Sequence, residues 1–255
     1  MKKYGRYVIL LICIVVFLIS FYKVAIHVKD YVVGRSDYKD ATEIANLPDI
    51  SDQDKLSSSE DFSKFFKDCD ITSLQKKNKE VSGWICIPGT NISYPICQHK
   101  DNSYYLTHTY NKEINYVGTP FIDYRCNNDF TDYNTIIYAH RMKDKTMFSA
   151  LHSYREKKQW KDYPHILIYT LDKEILVYKI YSAFKGDPDG ISYSSNISSE
   201  DDKKEFIEYT LANAEYNTDI TPTTKDSFIT LSTCIDSKHE YRMIVHGVLE
   251  ETIKN

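Results

Sequence analysis

Between Ser82 and Leu249 the chain breaks into eight short runs of β-branched and aromatic residues, and this is what most restricts its fold. The runs are Trp84 to Ile87, Ile92 to Cys97, Val117 to Tyr124, Thr135 to Ala139, Ile166 to Tyr169, Ile175 to Ala183, Phe228 to Thr233 and Arg242 to Leu249. Each has strand length, and turn residues separate them. Pro88-Gly89-Thr90 and Leu171-Asp172-Lys173-Glu174 each mark a tight hairpin. No regular helix lies between consecutive runs, so the pattern predicts a mostly β protein, an antiparallel barrel rather than a βαβ sheet. Two helices interrupt it. One is short, around Lys145 to Tyr154. The other lies in the long connection before the Phe228 run, with Ser199 as cap and Glu200, Asp201 and Asp202 in its first turn. Phe206, Thr210 and Leu211 share one face of it.

The N-terminus is a different kind of segment. Lys2, Lys3 and Arg6 precede sixteen uncharged residues, Tyr7 to Tyr22. Sixteen helical residues span about 24 Å, short of a bilayer core of about 30 Å. Val24 to Val28 complete the span if Lys23 snorkels. The segment reads as an uncleaved signal anchor, with 1–6 cytoplasmic, 7–28 transmembrane and the rest of the chain on the extracellular side of the cell membrane. A polar stretch with helical spacing around Asp61 to Phe66 suggests a helical stalk over 29–75, followed by the barrel at 76–255. Beyond residue 23 there are 28 basic against 36 acidic residues, a balance that does not favour nucleic acid as a partner. The six cysteines show no CxxC spacing, and five lie outside the apolar segment. A disulfide framework is not expected. Cys97 and His99 lack companions for a metal site, and no cofactor is implied. Cys69, Cys86, Cys97 and Cys126 read as small buried hydrophobes.

Cys234 ends the Phe228 run, and Arg242 opens the next. Alternation puts Thr230, Ser232 and Cys234 on one strand face, and Arg242, Ile244, His246 and Val248 together on another. A hairpin with loop 235–240 therefore brings Arg242 close to Cys234. An arginine there can lower the thiol pKa or donate to an oxyanion, and cannot act as a base. Only six arginines occur in this lysine-rich chain. A thiol nucleophile also needs a proton acceptor. Of eight histidines, His140 stands at the end of an apolar run where a loop begins, and His239 and His246 are near Cys234 in sequence. Spacing leaves His140 and His239 both open.

The stretch "NTIIYAHRM" (134–142), then "TLSTC" (230–234) and "YRMIVHG" (241–247), resembles a sortase, one of the Gram-positive cysteine transpeptidases. The wording of "TLSTC", "GWICIPGTNISYPICQHKDNSYYL" (83–106) and "GTPFIDYRC" (118–126) is similar to class B. The resemblance covers about residues 75–250. It implies a closed, eight-stranded sortase-type β-barrel with N-terminal helices and a helix in the long loop before the cysteine strand. It also implies Cys234 as nucleophile, His140 as general acid/base and Arg242 as oxyanion or substrate-orienting donor. Asn102, Leu106, Tyr138 and Ser232 match positions lining the substrate groove; turn capping for Asn102 and core packing for Leu106 and Tyr138 are the alternatives. Sortases cleave a C-terminal sorting signal, hold its Thr as a thioester and pass it to an amine on peptidoglycan or a lipid-linked precursor. Some class B members carry an acidic residue directly after the cysteine; here Ile235 stands there, with Asp236 next. The competing enzyme reading is a surface thiol peptidase that hydrolyses rather than transfers. An inactive adhesin would not need Cys234, His140 and Arg242 together.

Overall fold

The computed structural model describes residues 2–48, 56–235 and 240–254. Eight strands close into one barrel: β1 (Val81–Ile87), β2 (Ile92–Cys97), β3 (Phe121–Ile122), β4 (Asn134–Tyr138), β5 (His165–Thr170), β6 (Glu174–Gly186), β7 (Phe228–Cys234) and β8 (Arg242–Lys254). Their order around the barrel is β1-β2-β3-β4-β7-β8-β6-β5, with β5 pairing back onto β1. The barrel is mixed, not antiparallel throughout. β2 and β3 run parallel, as do β4 and β7. Parallel neighbours need a long return, and here they have one. Segment 98–120 separates β2 from β3, and β5, β6 and two α-helices intervene between β4 and β7.

The run expected over Val117 to Tyr124 contributes only Phe121–Ile122 as strand. Gly118 adopts φ +65°, and a Cβ there would lie 2.5 Å from the Tyr105 carbonyl oxygen. Pro120 two residues later has no N–H for a ladder. The helix expected around Lys145 to Tyr154 is a 3₁₀ segment, Phe148–Arg155. It starts late because Lys145 and Met147 both have positive φ.

A 43-residue helix, α1 (Lys2–Ile44), opens the chain. Its apolar first part is exposed along its length and is long and apolar enough to cross a membrane. Its last part is not a free spacer: Gly34, Tyr38 and Ala41, four and three residues apart, form one buried stripe against the barrel, continued by Ala45 just past the helix. In the remainder of the segment expected as a stalk, α2 (Ser59–Phe66) buries Phe62, Phe65 and Phe66, and Phe66 stacks on Tyr169 of β5 at 5.1 Å. α3 (Thr72–Gln75) buries Leu74.

The barrel interior takes Ile229, Leu231, Met243 and Val245 from β7 and β8. The opposite face of the same strands is covered by a second apolar layer, in which Phe228 and Val248 pack with Tyr181, Phe206 and Ile207. Phe206 and Ile207 come from α5 (Glu200–Ala212), which follows a short α4 (Lys157–Asp162). Ser199 Oγ caps α5 by accepting from Asp202 N at 3.1 Å, worth about 1 kcal/mol. The buried face is Phe206, Ile207 and Thr210; Leu211, expected on it, is 38% exposed.

Candidate active site

β7 and β8 are antiparallel, with Thr230 opposite His246, Ser232 opposite Ile244 and Cys234 opposite Arg242. The alternation expected of both strands is thus realised, and the thiol faces the guanidinium's strand position directly. On the other side, β4 is parallel to β7, with Tyr138 partnered to Ser232, and Ala139 N–H donates to the Ser232 carbonyl at 3.2 Å. His140 follows the last residue of β4 by two positions, as Cys234 follows Ser232 in β7. His140, Cys234 and Arg242 are therefore carried in a row of strand ends, those of the neighbouring β4, β7 and β8. β7 is buried for six residues and becomes half-exposed at Cys234, so the row opens where the outer apolar layer ends.

The His140 ring is held from two directions. Nε2 donates to the Leu106 carbonyl at 2.7 Å; a carbonyl only accepts, so Nε2 bears a hydrogen. Tyr116 stacks on the ring, with centroids 5.4 Å apart. His152 Nε2 donates to the Cys234 carbonyl at 3.1 Å and so pins the backbone of the thiol residue. Nothing in the sequence context of His152 marked it for this.

The remaining groove candidates converge on a residue that sequence reasoning passed over, Asp123. Its side chain is fully buried. Arg125 donates to it through Nε at 2.8 Å and Nη2 at 2.7 Å. Tyr138 Oη donates at 2.9 Å and Asn102 Nδ2 at 3.0 Å. Burial pushes the Asp123 carboxyl up, but the hydrogen bonds from Arg125 and Tyr138 outweigh it and hold the group below the usual carboxylate range. Asn102 also accepts from Tyr124 N at 3.0 Å, a cross-link between loops. The turn that starts there is capped instead by Asp101, which accepts from Ser103 N and Tyr104 N. Tyr138 is half-buried and stacks on Tyr193 at 6.0 Å, with planes 8° apart. Tyr193 Oη bonds Ser232 Oγ at 2.7 Å, while Arg125 Nη2 donates to the Tyr193 carbonyl at 3.3 Å. Burial raises the Tyr193 hydroxyl to about 12; Arg242 pulls it down and Cys234 pushes it up, so this phenol lies within electrostatic reach of both. Asn102, Tyr138 and Ser232 thus belong to one polar wall beside the thiol, and Leu106 supports His140. The signals for Asp123 and Arg125 were the scarcity of arginine and their place in the class B-like stretch "GTPFIDYRC".

The other histidines have other duties. His246 is fully buried between Thr230 Oγ1 and Ser192 Oγ, both at 3.0 Å. Burial pushes its pKa down to about 3, so it is a neutral core residue. His239 and Asp236 lie outside the described residues. Cys69, Cys86, Cys97 and Cys126 are buried, and desolvation raises each thiol, Cys69 and Cys126 to about 12. They are small core residues and poor nucleophiles. Among the described residues no three His, Cys, Asp or Glu side chains gather as a metal site.

A thiol, an imidazole and a guanidinium are thus brought to the ends of neighbouring strands of a closed β-barrel. The family model of the Sortase domain matches residues 85–250. The chain is 35% identical over 185 residues to Sortase B of Listeria monocytogenes, covering 71% of this chain and 74% of that protein. It superposes on a crystal structure of sortase B from B. anthracis in complex with AAEK1 with a TM-score of 0.72 at 30% identity, over 88% of this chain and 99% of that one. A Staphylococcus aureus sortase B–substrate complex gives 0.69 at 27% identity, over 86% and 96%. The chain belongs to the sortase family. Within it the sequence falls among class B enzymes, which makes it a sortase B-type cysteine transpeptidase.

Proposed function

We propose that Cys234, His140 and Arg242 carry the reaction, and that it joins the C-terminal sorting signal of surface proteins to an amine of peptidoglycan or its lipid-linked precursor. The observation that supports this most directly is the row across β4, β7 and β8. The Cys234 thiol gives its proton to His140, and Sγ attacks the carbonyl carbon of the scissile bond as the thiolate. Arg242, rigid and always charged, donates to the oxyanion that forms. His140 protonates the leaving amine as the tetrahedral intermediate collapses to a thioester. The acceptor amine then attacks the thioester carbonyl and gives its proton to His140, and Cys234 leaves as the thiolate. With Nε2 committed to the Leu106 carbonyl, proton exchange falls to Nδ1. Asn102, Tyr138 and Ser232 line the peptide groove on the wall built around Asp123, and Leu106 lines it at the His140 end.

The exposed apolar part of α1 supports the division into 1–6 inside, 7–28 across the cell membrane and 29–75 leading to a catalytic barrel at 76–255 on the outer side. An assay of a sorting-signal peptide with and without triglycine tests the transfer step. A ligated product that depends on triglycine supports transfer; the same cleaved acid with and without it would make the protein a thiol peptidase.

A further inference from the structure

Segment 115–119 lies between α1 and the ring of His140, and the roles assigned above leave it unused. α1 holds it from one side at four points. His27 meets the Tyr116 ring edge-on at 5.7 Å. The Asp30 carbonyl accepts from Asn115 Nδ2 at 3.0 Å. Gly34 is so close that a Cβ there would come within 2.9 Å of the Val117 side chain. Tyr38 Oη donates to the Gly118 carbonyl. From the other side, the Tyr116 ring lies on the His140 imidazole with planes 21° apart, and a Cβ on Gly118 would be 3.2 Å from the same ring. α1 also grips the loop after His140, where Arg35 Nη2 donates to Asp144 Oδ2 at 2.8 Å.

Tyr116 is 49% exposed, so core burial does not explain its placement; its ring contacts are the two imidazoles. The Nε2–H bond to Leu106 ties one edge of the His140 ring. A flat face laid on the ring resists tilting about the Cβ–Cγ bond and so helps set where Nδ1 points. We infer that Tyr116 is a positioning residue for His140, held at its station by residues 27–38 of α1. The helix that enters from the apolar segment is thereby part of the support of the catalytic row. This rests on the reading of His140 as the proton-transfer residue.

The test uses the full-length chain in detergent micelles, with a fluorogenic sorting-signal peptide and triglycine. Tyr116→Ala should lower kcat by about 10- to 100-fold through misplacement of the imidazole. KM should stay within about twofold, because Tyr116 is assigned no contact with the peptide. Tyr116→Phe keeps the face and should restore kcat. Gly34→Ala presses on Val117 and should lower kcat even though alanine is the better helix former. An unchanged kcat for Tyr116→Ala, equal losses for Ala and Phe, or a change in KM alone would overturn the inference. His140→Ala is the control. If it retains turnover, the assignment of His140 fails; if it is inactive while Tyr116→Ala is normal, only the positioning role fails.

Discussion

Asp123→Asn changes one atom of a side chain that accepts every hydrogen bond its carboxylate makes. Oδ1 accepts from Arg125 N and Nε; Oδ2 accepts from Arg125 Nη2, Tyr138 Oη and Asn102 Nδ2. An asparagine that keeps its oxygen at the first position presents N–H to three donors at the second. The Tyr138 hydroxyl can turn and accept. The guanidinium cannot, and the Asn102 amide cannot flip without losing Tyr124 N. Two donors therefore lose their acceptor. The Arg125 side chain is 38% exposed, so water recovers part of the loss, and about 1 kcal/mol for each gives roughly 2 kcal/mol in all. For a domain of this size that is a fall in Tm of about 4–8 °C. Asn102 and the Arg125 fork lose their anchor in the wall, so KM for the peptide should rise more than kcat falls.

The same carboxyl gives an acid signature. Its folded pKa lies below the unfolded value near 3.9, so its contribution to stability is complete above about pH 4 and is lost as pH falls through the folded value. Thermal unfolding of the variant should depend less on pH than the wild type below about pH 4. A Tm within about 1 °C of wild type at neutral pH, together with an unchanged KM, would refute the idea that Asp123 organises the wall.

Cys234→Ala should abolish transfer and leave Tm nearly unchanged, since the thiol is half-exposed; cleavage retained by the purified variant would remove the nucleophile assignment. Among His140→Ala, His239→Ala and His246→Ala, the first should lose turnover with the fold intact, whereas the third should lose stability, because it empties a buried site bonded to Thr230 and Ser192. Arg242→Lys should lose most of the turnover, approaching the 10²-fold or greater loss typical of a missing oxyanion donor, with Arg242→Ala lower still; near-normal rates for lysine would reduce Arg242 to a simple charge. Replacing residues 1–28 by a soluble tag should keep activity within a few-fold, because only the His27 contact with Tyr116 goes, whereas removal through residue 46 should inactivate by taking away Tyr38 and the buried stripe. Equal activity of the two truncations would show that α1 has no supporting role.

Period-two alternation was enough to place β7, β8 and the shared face of Cys234 and Arg242, because both strands are regular and locally encoded. It was not enough for β3, where Gly118 and Pro120 break a run that is apolar enough to read as strand. Strand direction was also hidden: nothing within β4 or β7 says that they lie parallel, and that pairing is what brings His140 beside the thiol. The choice between His140 and His239 therefore needed the family resemblance. Asp123, Tyr193 and Tyr116 were invisible for a related reason. Tyr193 and Tyr116 matter through partners far away in the chain, and Asp123, beside its near neighbour Arg125, gathers Asn102 and Tyr138 only in the fold. The extent of α1 was missed because its buried stripe of Gly34, Tyr38 and Ala41 holds a single large residue, too little to signal a packed face.

The continuity of α1 sets a height. A flexible linker over residues 29–75 would let the barrel wander by about 40 Å. Instead Gly34, only about 9 Å of helix beyond Val28, already touches the segment that braces His140. On the proposed placement of residues 7–28 in a bilayer, the continuous helix would hold the row of Cys234, His140 and Arg242 just above the lipid surface with almost no vertical freedom. Encounters then take place in a thin layer, where a partner tethered to the same membrane meets the thiol by lateral diffusion. The number of residues between such a partner's scissile bond and its own point of attachment becomes a selection rule, because a bond presented too low or too high misses the row whatever its sequence.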